Sequence, residues 1–305
     1  MKALLVDQEL PPWFPHALRR RGIESQLLKP PVNEWPDLAD IDLLLVRGAI
    51  RVSADLIASA PRLRFILRPG SGTELIDKLA VRQRGIVLLN SPEGNAPTVA
   101  EHTLSLILAL LRRLPEDLRT IALHQWHRYS VGRKELADLT VGILGFGHIG
   151  RELARRIVPL ARKVFVYDRY LPAGYATMVP GVEEVDFNQL PQLSDIVSVH
   201  VDMRPPNHHW INASFFQKMK PSAYLINTSR GEVVCLDDLI DALDNGRLGG
   251  VALDVLEDEP PLPDHINRLQ QYPNVIVTPH IAGWSEASYH RIYAVLLEKL
   301  DAYLT

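Results

Sequence analysis

The chain has 305 residues, 47% of them apolar and 23% charged, enough to bury one large core or two ordinary ones, which excludes a disordered polypeptide. Its 33 lysines and arginines against 36 aspartates and glutamates leave a formal charge of -3, so nothing in the charge speaks for a nucleic-acid or anionic-membrane partner. A single cysteine, Cys235, closes no internal disulfide and builds no thiolate metal cluster, which suits a reducing compartment and makes the cytoplasm the expected location.

Residues 1–7 hold an apolar run shorter than the roughly 7–15 residues of a signal sequence and read as a first buried strand. Strands are expected at 3–6, 43–46, 65–67 and 86–89, with helices near 13–21, 53–59 and 75–83 between them. That alternation implies a parallel sheet. The Pro/Gly/Asn-rich stretch Ser91-Pro92-Glu93-Gly94-Asn95-Ala96-Pro97 reads as a break and a domain crossing, followed by a buried helix at 98–113. The longest apolar run, 104–111, falls far short of the roughly 18 residues of a membrane-spanning helix.

From 140 the alternation restarts, with strands expected at 141–144, 163–167, 196–200, 224–227, 250–253 and 275–277, a set that fits a doubly wound sheet. The chain closes with one amphipathic segment, 285–303, which must pack on something earlier. No fixed-period repeat, low-complexity tract or charge block appears.

Directly after the strand at 141–144 stands Gly145-Phe146-Gly147-His148-Ile149-Gly150, with helical spacing beyond it. In that context the first glycine permits a tight turn, the second lets backbone approach a pyrophosphate, and the third allows helix to pack closely on strand. Asp168 ends the next strand, where a carboxylate accepts both ribose hydroxyls of NAD and repels the 2′-phosphate of NADP. NAD is the expected cofactor. Arg169 would tolerate a phosphate, although an arginine there more often stacks on adenine or faces water.

Arg230, Glu259 and His280 sit where strands end, which is where ligands bind in open α/β sheets. Arg230 in Asn227-Thr228-Ser229-Arg230-Gly231 could hold a carboxylate by paired hydrogen bonds or simply be a surface arginine. Glu259 lies in an acidic run that in isolation reads as a solvated loop, and His280 is one of 11 histidines.

Together with the glycine motif, the blocks Asn90-Ser91-Pro92-Glu93-Gly94-Asn95, Glu101, 227–231, 249–255 with 257–260, and 278–283 make the sequence resemble the D-isomer-specific 2-hydroxyacid dehydrogenase family. The resemblance spans most of 43–284, in the family's order. It implies a Rossmann doubly wound NAD-binding domain, 98–281, inserted into a smaller flavodoxin-like α/β substrate-binding domain, 1–97 with 282–305. It further implies that Arg230 binds substrate, that Glu259 pairs with His280 as the catalytic acid/base, and that Asp254 contacts the nicotinamide carboxamide, with Thr228 and Gly283 also on the cofactor side. Arg47-Gly48 and Gly70-Ser71-Gly72 would line the substrate side, in a cleft between the domains, and the family's habit of dimerising through the nucleotide domain implies a homodimer.

The implied reaction interconverts a small D-2-hydroxy acid and its 2-oxo acid. His280 takes or gives the hydroxyl proton, Glu259 raises the imidazole's pKa, and Arg230 binds the carboxylate and polarises the 2-oxo group. The glutamate at 259 disfavours the formate dehydrogenase branch, which carries glutamine in that role. None of the nine tyrosines has lysine four positions on, which removes a short-chain dehydrogenase. The rival from another class is an NAD(H)-sensing, corepressor-like binding protein whose turnover is incidental.

Departures from the family pattern fall on the substrate side. Gly70-Ser71-Gly72-Thr73-Glu74 stands where many members carry aspartate, and Val201-Asp202-Met203-Arg204 replaces the commoner Pro-Leu pair. Arg47, Arg51 and Arg68 could take a substrate phosphate, as in phosphoglycerate dehydrogenase, or be surface residues, and no appended regulatory domain is expected after 305. No metal site is expected: His124 with His127, and His208 with His209, both lack a well-spaced third ligand. Trp126, Arg128, Arg133 and Lys134 would cap a helix or face a dimer partner, and Trp284 would wall the pocket or anchor the last helix.

Overall fold

The structure, a computed structural model, describes residues 1–126 and 132–304. In chain order come β1 (Lys2–Val6), α1 (Trp13–Arg20), β2 (Glu24–Leu28), β3 (Leu43–Val46), α2 (Ala54–Ala58), β4 (Phe65–Arg68), α3 (Lys78–Gln83), β5 (Val87–Asn90), α4 (Pro92–Leu111) and α5 (Leu114–Ala122). Then follow β6 (Thr140–Leu144), α6 (His148–Ile157), β7 (Lys163–Tyr167), β8 (Val182–Glu184), α7 (Gln189–Leu193), β9 (Ile196–Val199) and α8 (Ala213–Lys218). The last elements are β10 (Ala223–Asn227), α9 (Leu236–Asp244), β11 (Leu248–Leu253), α10 (Pro263–Gln270), β12 (Val275–Val277) and α11 (Glu286–Asp301). The chain forms two compact units, Met1–Asn95 with Trp284–Thr305, and Ala96–Gly283.

The first unit is a parallel sheet in the order β2-β1-β3-β4-β5. Its central strands are continuous apolar runs because both faces are covered. Leu5, Leu43 and Leu45 pack toward Phe14 of α1 and Tyr293 of α11, while Leu4, Leu44 and Val46 face the opposite way, toward Ile57 and Val81. α11 is fastened by Arg21 Nε to Asp301 Oδ1 at 2.5 Å and by Lys299 Nζ to Glu93 Oε1 at 2.8 Å. A Cβ on Gly94 would stand 2.7 Å from the Ile292 Cα, so glycine there lets the final helix lie against the chain.

Two features differ from the sequence expectation in this unit. β2 is an unforeseen edge strand with four of its five residues exposed, paired among the described residues to β1 alone, so it lacks the apolar pattern that marks its neighbours. Residues 92–97 form the first turns of α4 instead of a break. Pro92 opens the helix, where a missing N–H has no intrahelical acceptor to lose, and Pro97 is accommodated inside it.

The second unit is a seven-stranded parallel sheet, β12-β11-β10-β9-β6-β7-β8, the doubly wound arrangement expected. β8, a three-residue edge strand reading Val-Glu-Glu, was too short and too polar to be foreseen. The order reverses where β9 lies beside β6, so connections leave those strands in opposite directions and open a crevice at their carboxyl ends. Among the described residues no helix is long and apolar enough to cross a membrane.

Candidate active site

The glycine turn after β6 meets each of its steric requirements. Gly145 has φ +96° and a Cβ there would lie 2.6 Å from the His200 carbonyl oxygen; a Cβ on Gly150 would lie 2.1 Å from the Gly145 oxygen. Gly147, the N-cap of α6, has nothing within 4 Å of its Cβ position. Gly150 therefore lets α6 pack closely on the turn and on β6, and Gly145 lets the turn approach the segment after β9, while the middle glycine opens a space toward which the N-terminal amides and dipole of α6 are directed. The Phe146 ring is fully buried in the core, and its N–H donates to Asp168 Oδ2 at 2.8 Å, tying the turn to that carboxylate.

Asp168 is held by that bond and by the N–H groups of Tyr170 at 2.9 Å and Leu171 at 3.2 Å, which places its carboxylate beside the glycine turn. Arg169 turns elsewhere. Its guanidinium stacks 4.0 Å above the Trp210 ring and donates to the Pro206 carbonyl at 3.3 Å. The cradle with its open centre and the carboxylate beside it fit NAD and leave no cation assigned to a 2′-phosphate. Asp168→Ala is expected to raise the KM for NADH at least tenfold while changing that for NADPH less than threefold, as two lost ribose hydrogen bonds imply; steady-state titration of both cofactors measures this, and equal losses would remove the ribose assignment.

At the end of β10, Asn227 builds the Arg230 turn: its Oδ1 accepts the Ser229 N–H at 3.0 Å and its Nδ2 donates to the Arg230 carbonyl at 2.8 Å. Thr228 is buried and pairs its hydroxyl with Thr103 at 2.9 Å. A Cβ on Gly231 would stand 1.8 Å from the Leu256 oxygen, so glycine is what admits the loop after β11 next to Arg230.

Asp254, buried at the end of β11, pegs the loop that carries His280. Its Oδ1 accepts from Thr278 Oγ1 at 2.6 Å and from the Ile281 N–H at 2.9 Å, and its Oδ2 from the Ala282 N–H at 2.8 Å. The His280 N–H donates to the Asp254 carbonyl at 2.8 Å. The resemblance assigns this carboxylate to the nicotinamide, and three accepted bonds leave one of its about four acceptor positions for that amide. These bonds hold His280 at φ +54°, a left-handed conformation that a non-glycine residue adopts only when its surroundings dictate it. Gly283 closes the same loop.

His280 Nδ1 lies 2.5 Å from Glu259 Oε2, and Glu259 Oε1 accepts the Leu256 N–H at 3.3 Å. The bond to Glu259 raises the His280 pKa above its ordinary value, against the opposing effects of partial burial and of the nearby Arg230 charge, with Asp254 adding to the rise. With Nδ1 engaged, Nε2 is the nitrogen left to exchange a proton with a ligand. Sequence reading missed His102 and Thr103 of α4, of which His102 Nε2 approaches Thr278 Oγ1 at 3.3 Å. Neither belongs to a motif, so only the fold could reveal them.

Within the first unit, Arg68 ties the loops at the ends of β3 and β4 together, donating to the carbonyls of Gly72 at 3.0 Å and Gly48 at 2.9 Å. Gly70 exchanges backbone and side-chain hydrogen bonds with Ser91, and the Ser71 carbonyl accepts from Asn90 Nδ2 at 2.9 Å. Arg68 thus straps these loops together. Arg47 lies 4.4 Å over the Trp284 ring and 3.9 Å from Asp7, while Arg51 is exposed. Arg133 pairs with Asp117 at 2.7 Å and Lys134 lies over Tyr224; His127 and Arg128 lie outside the described residues.

Residues 104–282 match the family model for the D-isomer specific 2-hydroxyacid dehydrogenase NAD binding domain. The chain is 35% identical over 263 residues to a hydroxypyruvate reductase of Thermotoga maritima, covering 86% of this chain and 85% of that one. It is 34% identical over 285 residues to a D-3-phosphoglycerate dehydrogenase of Archaeoglobus fulgidus, covering 93% of this chain but only 54% of that protein. The crystal structure of a D-lactate dehydrogenase from Aquifex aeolicus with NAD and lactic acid superposes with a TM-score of 0.84 at 28% identity, covering 99% of this chain and 95% of that one.

Proposed function

The chain belongs to the D-isomer-specific 2-hydroxyacid dehydrogenase family, and from that premise we propose that it reduces a small, unphosphorylated 2-oxo acid with His280, Glu259 and Arg230 as its catalytic groups. NAD-dependent D-2-hydroxyacid oxidoreduction is the activity of the family and of this chain. NAD, when bound, supplies the hydride acceptor, or its reduced form the hydride donor. The residues that would hold it are the glycine turn 145–150 with the His148 and Ile149 amides, Asp168, Thr228 and Gly283.

The observation that carries the assignment is the 2.5 Å contact of His280 with Glu259, set beside the Arg230 turn. In reduction His280 donates a proton from Nε2 to the oxygen becoming the hydroxyl, while Glu259 keeps the proton on Nδ1 in place. Arg230 grips the substrate carboxylate and stabilises the negative charge growing on the 2-oxo oxygen. In oxidation His280 runs the same transfer backwards as base. Gly48, Gly70, Ser71, Gly72 and Arg47 are assigned to the substrate side on the resemblance. Arg68 is occupied as a strap, and Arg47 is sandwiched between Trp284 and Asp7, which favours a substrate without a phosphate.

Following NADH absorbance with glyoxylate, hydroxypyruvate, pyruvate and 3-phosphohydroxypyruvate should show one unphosphorylated acid turned over efficiently. Tight NADH binding with none of a broad panel reduced would overturn this reading in favour of an NAD(H) sensor.

A homodimer is part of the same reading. α5 leaves Leu118 69% exposed and Ile121 50% exposed, with Leu114 on the same stripe and Trp126 81% exposed beyond it, a surface a second copy would cover. Leu118→Glu is expected to convert a dimer to monomer in light scattering at micromolar concentration; an unchanged mass would place the interface elsewhere. The lone cysteine fits the cytoplasm.

A further inference from the structure

The segment after β9 carries two adjacent histidines, His208 and His209, for which the sequence offered no third ligand. The fold supplies one. Glu257, in the loop after β11, places Oε1 2.5 Å from His209 Nε2, and the imidazoles of His208 and His209 stack with centroids 3.9 Å apart. One ligand atom from each of the three side chains lies within 4.8 Å of the other two.

The frame around them is built rather than incidental. His209 has φ +49°; its N–H donates to the Glu232 carbonyl at 2.8 Å and its carbonyl accepts from Asn212 Nδ2 at 3.0 Å. Two residues on, Ile211 forms a parallel bridge with Val234. The backbone at Glu257 lies close against the Arg230 turn, where its nitrogen would stand 2.4 Å from a Cβ on Gly231. Two segments distant in sequence therefore bring two imidazoles and a carboxylate within 4.8 Å of one another.

We propose that His208, His209 and Glu257 form a binding site for a divalent transition-metal ion of the zinc type. Two nitrogen donors and one carboxylate suit zinc, whereas calcium and magnesium take oxygen ligands. With metal–ligand bonds of about 2.0–2.1 Å, tetrahedral donors sit about 3.4 Å apart. Entry of the ion would open the His209–Glu257 contact to that spacing and draw the exposed His208 ring inward. Three protein ligands leave the fourth position to water. Occupancy would bridge the segment after β9 to the loop after β11, which also bears Glu259, so the ion would fasten that loop.

Isothermal titration of the intact protein with zinc chloride tests this, alongside nitrogen-detected NMR of labelled imidazoles. The expected result is one ion per chain at micromolar affinity, with two imidazoles shifting together, and at least a tenfold loss of affinity in both Glu257→Gln and His208→Ala. Glu257→Gln is isosteric and His208 is exposed, so both variants should keep the parent's melting temperature without zinc. Unchanged zinc affinity in these two variants, or a response at other imidazoles in place of these, would overturn the site.

Discussion

Replacing His280 with alanine is expected to lower kcat for 2-oxo acid reduction by about 10³-fold, or about 4 kcal/mol of transition-state stabilisation, with NADH affinity changed less than twofold. The size follows from the position of the imidazole. Its Nδ1 is engaged by Glu259 and its backbone is held by Asp254, so one nitrogen is oriented for proton transfer before substrate arrives. NADH affinity should persist because the glycine turn and Asp168 lie on separate strands from the His280 loop. Steady-state kinetics and fluorescence titration together read both quantities. A loss below tenfold would mean that the proton comes from another group.

Substituting Arg230 should cost as much or more, and through a different kinetic parameter. In the proposed role, Arg230→Ala would remove both the grip on the substrate carboxylate and a charge facing the developing oxyanion, for which a combined loss of about 10⁴ in kcat/KM is expected. Arg230→Lys should recover less than a tenth of that loss. A lysine keeps the charge but cannot offer two parallel N–H groups. The turn should survive either change, because Asn227 closes it through main-chain groups. An Arg230→Lys enzyme with near-normal kcat/KM would show that charge alone suffices and that paired geometry is irrelevant.

How much was legible beforehand followed from where each residue sits. Strands covered on both faces, such as Leu43–Val46, announce themselves as apolar runs, and the glycine turn does so because steric need forces its residue types. β2 and β8 escaped because an edge strand with Glu-Ser-Gln or Val-Glu-Glu buries too little to carry a pattern. The start of α4 was obscured by Pro92, which a helix tolerates at its first position, and by Pro97 inside it. Contacts across the fold were illegible for a different reason. No local spacing relates His102 to Thr278, 176 positions away, or His209 to Glu257, 48 away, and the sheet order alone makes them neighbours. Asp254 illustrates the middle case, since its place in a motif was readable but its work as the peg of the 278–282 loop was not.

The pH dependence of kcat/KM for reduction, measured in parallel for the parent enzyme and Glu259→Gln, tests the proton-donor assignment most directly. On the proposed assignment reduction draws its proton from His280, whose pKa Glu259 raises, so activity should hold through neutral pH and fall as pH climbs through that elevated value. Losing the carboxylate should carry the falling limb to lower pH, with the oxidation reaction rising along the same displaced limb. Superimposable profiles for the two enzymes would contradict the assignment of the His280–Glu259 pair as the source of the proton.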